Sequence, residues 1–156
     1  MDKQILLCSI ANMAPVVLNA VLEANDITDK KGGFLALRFR GDAAPFLLLK
    51  EGEPLVEKHV KYSSLAPEKA GRALLPDGNV SSWQTRDPEN GKWGGGICPS
   101  GEWAMAFSGL PELADEAFCL ILARLLGMLS AEDADRIASI SNNEMYRKAV
   151  TRFDFS

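Results

Sequence analysis

Residues 92–112 read Lys92-Trp93-Gly94-Gly95-Gly96-Ile97-Cys98-Pro99-Ser100-Gly101-Glu102-Trp103-Ala104-Met105-Ala106-Phe107-Ser108-Gly109-Leu110-Pro111-Glu112. Turn-forming residues at 99–102 separate two apolar segments, which predicts antiparallel strands over 93–98 and 103–108. A helix over 111–129 should follow, because a proline opens it and acidic residues occupy its first turns. The stretch therefore predicts a strand–strand–helix unit.

The rest of the chain extends this unit to a single α+β domain spanning 1–156. Apolar alternation and turn residues predict further strands over 34–40, 46–50, 55–62 and 80–86. Helices are predicted over 16–24, 67–75 and 130–140, and a shorter one after Glu144. A strand over 4–10 stays open as an alternative. We expect a mostly antiparallel sheet of five or six strands with helices packed on it.

Composition restricts the classes of protein. The 156 residues carry a net charge of −4, which disfavours binding to nucleic acid. No apolar run in the sequence approaches the length needed to span a membrane, and the start of the chain lacks the features of a signal peptide, so no membrane association is expected. Three cysteines without metal-like spacing predict reduced, mostly buried thiols in a cytoplasmic protein.

The three consecutive glycines have two interpretations. In the first, the glycines serve packing: pairing Cys98 with Trp103 would set Met105 opposite Gly96, so that bulky side chains cover the glycines. We favour this interpretation, because glycines within a sheet are more often structural than functional. The alternative is that bare backbone admits a flat ligand between tryptophans. Ser108 is expected to cap the following helix. The predicted ligand-binding residues are Trp83, Trp93, Gly94, Gly95, Gly96 and Ser108.

No catalytic or metal site is predicted. His59 is the only histidine, and nothing in the spacing brings it to Cys98 to activate a thiolate. Asp115 and Glu116 point in different directions from a helix, and their expected role is to compensate its dipole. The sequence names no cofactor.

Short motifs carry a family resemblance. Gly95-Gly96-Ile97, the strand end Ser108-Gly109, Asp115-Glu116-Ala117 and the segment 65–73 together resemble GlcG/PduO-like domains of the haem-binding-protein type. The resemblance covers about 60 residues, mainly of the C-terminal half. It implies a profilin-like fold, often oligomeric, that binds haem, a corrinoid or another small molecule, and it assigns no family ligand to His59.

Two functions are expected from different classes. The first is a non-catalytic small-ligand-binding or sensory domain. The second is an interaction or assembly protein that forms a homo-oligomer through its apolar helix, because a helix that is apolar on nearly every side must be covered on several faces. The terminal Phe153 and Phe155 are an alternative contact. An enzyme that uses Cys98 is the least favoured.

Overall fold

The computed structural model describes residues 2–75 and 78–156. In this part of the chain, five α-helices accompany one four-stranded antiparallel sheet with strand order β2-β1-β4-β3. The elements are α1 (Lys3–Ala24), β1 (Gly32–Phe39), β2 (Leu47–Gly52), α2 (His59–Leu74), β3 (Gly96–Ile97), β4 (Trp103–Ser108), α3 (Glu112–Leu125), α4 (Ala131–Ser141) and α5 (Glu144–Val150). The predicted α+β class is confirmed.

Helices cover both faces of the sheet. Helix α3 packs on β3 and β4 and is itself covered by α1, α4 and α5, whereas α2 packs on β1 and β4 from the opposite side. Alternate residues of β4 supply the two cores: Met105 and Phe107 join the large core, and Ala104 and Ala106 join the α2 core. The fold therefore has three layers.

Two predicted strands are wrong, so the described sheet has four strands rather than five or six. Residues 55–62 contain a 3-10 turn, Val56–Lys58, and then the start of α2. Residues 80–86 contain the 3-10 turn Ser82–Thr85, closed by a capping box between Ser81 and Gln84. A hydroxyl cap of this kind offers the backbone an alternative to strand pairing. Only Ser81 of that segment pairs with β3, opposite Ile97.

The glycine strand is short and its register is shifted. The predicted strand over 93–98 reduces to two residues, with Gly96 opposite Ala106 and Ile97 opposite Met105. The predicted register is therefore wrong by one residue. A shift of one residue reverses the face on which each side chain lies, and Ile97 joins the large core with Met105.

Two predicted helices start too late because each contains an internal proline. Helix α1 continues through Pro15, and α2 continues through Pro67. The strand alternative over 4–10 is wrong, since Asp2 caps α1 by accepting the backbone N–H groups of Gln4 and Ile5.

Helix α1 also corrects the expectation about membrane-spanning length. It has 22 residues, and an 18-residue window within it has a mean hydropathy of 2.1, so length and composition alone would allow it to cross a membrane. Its inner face is nevertheless buried in the core: Leu6, Ile10, Ala14, Val17, Leu18 and Val21. One third of its most apolar 18-residue window is buried in this way, and Ile5, Leu7 and Val16 remain exposed.

The C-terminal helices agree best with the prediction. Helix α3 begins one residue after the predicted start, and Ser130 caps α4 by accepting the N–H of Asp133. Residues Ala114 to Ala123 are all buried within the single chain. The apolar surface of α3 is therefore covered by its own chain, which removes the reason for placing an oligomer contact on it.

Candidate functional site: a groove between α2 and the β4–α3 connection

A groove of about 250 Å³ lies between the first half of α2 and the segment that joins β4 to α3. One wall is formed by α2 and the other by the connection from Ser108 to Glu112. Its lining residues are Lys61, Tyr62, Leu65, Lys69, Trp93, Ser108, Gly109, Leu110, Pro111, Glu112 and Asp115. We call this site the α2–α3 groove.

A buried ion pair lies at the floor of the groove. Nζ of Lys69 donates to Oδ2 of Asp115 over 3.0 Å and to the carbonyl oxygen of Phe107 over 2.9 Å. Oδ1 of Asp115 accepts the backbone N–H of Leu110 over 3.0 Å. Both charged side chains are only 2% exposed. The pair thus holds α2, β4 and the β4–α3 connection in fixed positions.

Burial changes the protonation of this floor. Desolvation raises the pKa of Asp115 from 3.8 to about 7, against the opposing effect of Lys69 and of the hydrogen bonds. The negative charge of Glu112, one turn away, also raises it. Around neutral pH, the Asp115 carboxyl therefore exchanges between charged and neutral forms.

The glycines make room for this floor. A Cβ on Gly95 would lie 2.7 Å from Cβ of Asp115 and 3.0 Å from Nζ of Lys69. Gly95 also has a φ of +114°, a conformation that favours glycine. A Cβ on Gly94 would lie 2.8 Å from the Trp83 ring. These contacts support the packing interpretation of the glycines.

Glu112 carries an unsatisfied acceptor at the groove wall. Its Oε2 accepts from Nε of Arg86 over 2.6 Å. Its Oε1 is buried and accepts no hydrogen bond from any group in the described residues. An acceptor left in this state typically costs about 1–3 kcal/mol.

Two arginines fix the tryptophans beside the groove. The Arg86 guanidinium lies 4.8 Å from the ring centre of Trp83 and 5.9 Å from that of Trp93. Arg72 donates to the carbonyl oxygen of Trp93 and to that of Ser82. Cation–π contacts and charge-assisted hydrogen bonds of this kind hold side chains in place. The Trp93 wall is therefore preorganised.

The six predicted site residues separate into two groups. Trp93 and Ser108 line the groove. Trp83 and the three glycines do not line it; they lie behind it, against Glu112, Asp115 and Lys69. The predicted capping by Ser108 is wrong, because the N-cap position of α3 is Pro111 and no side chain caps the helix.

Sequence reasoning missed Lys69, Glu112 and Asp115. Lys69 is a lysine among the small residues Ala66, Ala70 and Ala73 of α2, and a charge on a buried helix face indicates a partner. The assignment of Asp115 and Glu116 to dipole compensation was incomplete. Their predicted divergence is confirmed, since they belong to different hydrogen-bond networks.

Glu116 belongs to a structural cluster rather than to the groove. It is fully buried and accepts hydrogen bonds from the hydroxyls of Ser81 and Ser141 and from the amide of Asn143. Burial raises its pKa, against these three hydrogen bonds. The cluster joins α3 to the turn after α4 and to the segment beside β3.

The catalytic alternative gains no support from the geometry. Cys98 is 1% exposed, and burial raises the pKa of its thiol, which disfavours the reactive thiolate. His59 lies at the start of α2, where its ring makes an edge-to-face contact with Phe34 and Nε2 is 3.0 Å from the carbonyl oxygen of Pro54. Within the described residues no cluster of His, Cys, Asp and Glu could hold a metal ion.

The site does not fit haem, which the resemblance raised as one ligand. The groove is smaller than the roughly 300–1,000 Å³ of ordinary ligand pockets, and its lining contains no histidine or cysteine. Comparisons with models of protein families, with curated proteins and with solved structures find no match to this chain. The functional argument therefore rests on the groove itself.

Proposed function

We propose that this protein is a non-catalytic small-ligand-binding or sensory domain whose ligand occupies the α2–α3 groove. One observation carries the proposal: the groove sets the buried Lys69–Asp115 pair beside the apolar lining residues Leu65, Trp93 and Leu110. Convergent polar groups beside apolar side chains are typical of binding sites. The volume of about 250 Å³ limits the ligand to a small molecule.

We also propose a fold type, a family relation and a cellular location that the sequence suggested. We infer a profilin-like fold and a distant relation to GlcG/PduO-like domains, supported by antiparallel strands with helices on both faces. We also place the protein in the cytoplasm, away from membranes and nucleic acid. Two of its three free cysteines are buried, and one face of α1 packs in the core.

The experiment is a titration with a library of small fragments, followed through the indole N–H signals of the tryptophans in two-dimensional NMR. We expect a subset of fragments to shift the Trp93 signal and to lose binding in Trp93→Ala. The matched control is Phe153→Ala, which removes a partly exposed aromatic ring outside the groove. Fragments that bind equally well to Trp93→Ala would contradict the proposed site.

A second candidate function is self-assembly through the outer edge of β2. This edge pairs with no described strand, and unpaired edges are templates for another chain. Leu48 on β2 is 46% exposed, and Val56 and Val60, which follow it, are 79% and 80% exposed. Two copies paired about Leu49 would set Leu48 opposite Lys50, with no like charges facing each other.

Native mass spectrometry tests this second candidate. We expect a dimer that dissociates in the double variant Leu48→Lys/Val60→Lys. The control is Ile5→Lys, which places the same charge on the exposed face of α1, where Ile5 is 62% exposed. A dimer that survives the double variant, or a wild-type monomer at micromolar concentration, would contradict assembly through β2.

A further inference from the structure

A second cavity, of about 570 Å³, shares no lining residue with the α2–α3 groove. It lies beside the turn that joins β3 to β4, and residues 78–80 and 98–102 form much of its wall. Arg40, which follows β1, and Arg136 of α4 complete the lining. We call this site the hairpin cavity. Its volume is within the roughly 300–1,000 Å³ of ordinary ligand pockets.

Arg40 is held in place at the hairpin cavity by neutral acceptors. Its Nη2 donates to the carbonyl oxygen of Leu74 over 3.0 Å, and its Nε donates to the carbonyl oxygen of Gly101. None of the ion pairs among the described residues includes Arg40. The cavity therefore has a positioned guanidinium group whose positive charge no carboxylate of the described residues neutralises at close range.

Arg136 supplies a second guanidinium group from α4. It pairs with Asp133 over 3.0 Å, but the two side chains are 57% and 49% exposed. Exposed ion pairs of this kind are weak, so Arg136 can exchange Asp133 for a bound anion. A guanidinium group donates two parallel hydrogen bonds to a phosphate group. Two such groups lining one cavity match the several oxygens and double negative charge of a phosphate monoester.

The other polar lining residues indicate the body of this ligand. Asn79, Ser100 and Glu102 contribute an amide, a hydroxyl and a carboxylate to the same cavity. Burial raises the pKa of the Cys98 thiol on the wall, Arg40 opposes this effect and Glu102 adds to it, so both charges act at one wall. A carboxylate repels phosphate but accepts hydrogen bonds from hydroxyl groups. This lining therefore favours a hydroxylated body beside the phosphate group.

We propose that the hairpin cavity is a second ligand-binding site, which takes a small phosphate monoester with a hydroxylated body, the chemistry of a sugar phosphate. The phosphate group binds between Arg40 and Arg136, and the hydroxyl groups bind Asn79, Ser100 and Glu102. This site is separate from the α2–α3 groove and does not depend on the ligand of that groove.

Three compounds test the inference. Ribose 5-phosphate carries both parts of the expected ligand, ribose lacks the phosphate, and inorganic phosphate lacks the hydroxylated body. We expect ribose 5-phosphate to bind about tenfold more tightly than either of the others, because each of them loses one set of hydrogen bonds. Calorimetry gives the dissociation constants, and the backbone amide signals of Ser100 and Gly101 in two-dimensional NMR locate the binding.

Variants then assign the phosphate contact to the two arginines. Arg136→Gln should weaken the binding of ribose 5-phosphate about tenfold and that of ribose by less than about twofold. Arg40→Lys keeps the positive charge but loses the two parallel donors, so it should cause a smaller loss. The control is Arg147→Gln: Arg147 is also an exposed arginine paired with an acid three residues earlier, but it lies outside the cavity. This control should bind like the wild type.

Several results would overturn the inference. Ribose that binds as tightly as ribose 5-phosphate, or ribose 5-phosphate that binds equally well to Arg136→Gln, would mean that the arginines do not bind a phosphate group. Inorganic phosphate that binds as tightly as ribose 5-phosphate would exclude the hydroxylated body. If none of the three compounds shifts Ser100 or Gly101, the site itself is contradicted, whereas the proposed function, tested through Trp93, is unaffected.

Discussion

The two faces of the sheet are built from side chains of different size, and the face with the smaller side chains lies beside the groove. Toward α1 and α3 the sheet presents Leu35, Leu37, Met105 and Phe107. Toward α2 it presents Ala36, Ala104 and Ala106, which meet Ala66, Ala70 and Ala73. Small residues allow a close approach of helix and sheet, so Lys69 and Arg72 reach main-chain carbonyls beyond the interface.

The two faces of the sheet serve different purposes: one contributes most of the stability, and the other borders the candidate binding site. Burial of large apolar side chains is the dominant favourable contribution to folding, and most of it lies on the α1–α3 side. The α2 side buries less apolar surface but places a lysine, an arginine and an aspartate beside the groove. A site with buried charges can be tolerated there because the other face supplies the core.

The largest loss of stability is expected from a substitution that leaves a cavity in the large core. Phe118 is fully buried, and its ring centre lies 4.3 Å from that of Phe107. Phe118→Ala should lower the free energy of unfolding by about 3–5 kcal/mol, measured by urea denaturation, because it removes buried surface and leaves a cavity. The comparison is Phe34→Ala on the α2 side, where Phe34 is only partly buried. Equal losses in both variants would contradict the division between the faces.

A smaller loss of stability is expected from breaking the Lys69–Asp115 ion pair on the α2 side. Lys69→Met leaves the buried Asp115 without its cation and should cost about 3 kcal/mol at pH 8. The cost should be lower at pH 5, because a protonated Asp115 does not need the cation. Urea denaturation at both pH values measures the difference.

The double variant Lys69→Met/Asp115→Leu is the control for this pair. Replacing both charges with apolar groups should recover much of the loss, because no charge then remains buried alone. A double variant as unstable as Lys69→Met would show that Lys69 contributes through packing on α2 rather than through its charge.

The sequence predicted the elements of one face better than those of the other. The opening proline and acidic first turns located α3, and the Ser130 cap located α4, to within a few residues, because local chemistry determines these features. On the α2 side, 55–62 and 80–86 looked like strands, since short apolar runs do not distinguish strands from turns and helix starts. Neither segment forms a strand: 80–86 fold into a turn capped by Ser81 and Gln84, and 55–62 lead into α2.

Only the part of the candidate site that depends on local sequence could be predicted. Trp93 and Ser108 belong to the stretch that stood out in the sequence, and both line the groove. Lys69 is 46 residues from Asp115 along the chain. Single-sequence reasoning has no means to pair such distant charges, and it explained Asp115 by its local position on α3.

A smaller change in stability is expected when the pH is varied, because burial raises the pKa of acidic side chains on α3. Burial raises the pKa of Asp115 to about 7, and raises that of Glu116. Between about pH 4 and pH 7 the folded state therefore binds more protons than the unfolded state. The free energy of unfolding should fall as pH rises through this window, by at most about 1.4 kcal/mol per pH unit for each group.

Asp115→Asn tests the assignment, because it removes one of the three acids whose pKa burial raises while keeping a similar shape. Its stability should fall less steeply between pH 4 and pH 7, and the remaining slope is expected from Glu116 and Glu51. Denaturation midpoints at half-unit steps of pH give both slopes. A slope identical to that of the wild type would mean that Asp115 does not titrate in this range.

The smallest effect is expected at the rim of the groove, where charge is exposed. Arg86 is 36% exposed, and its contacts are the Glu112 carboxylate and the rings of Trp83 and Trp93. Arg86→Gln should lower the free energy of unfolding by less than about 1 kcal/mol, because exposed ion pairs contribute little. The tryptophan fluorescence should nevertheless change, because the substitution removes the guanidinium group that contacts both indole rings.

The control is Arg136→Gln, which breaks an exposed pair with Asp133 on α4. It should change neither the stability nor the fluorescence measurably. A loss well above 1 kcal/mol for Arg86→Gln would mean that this rim, and not the large core alone, supports the fold.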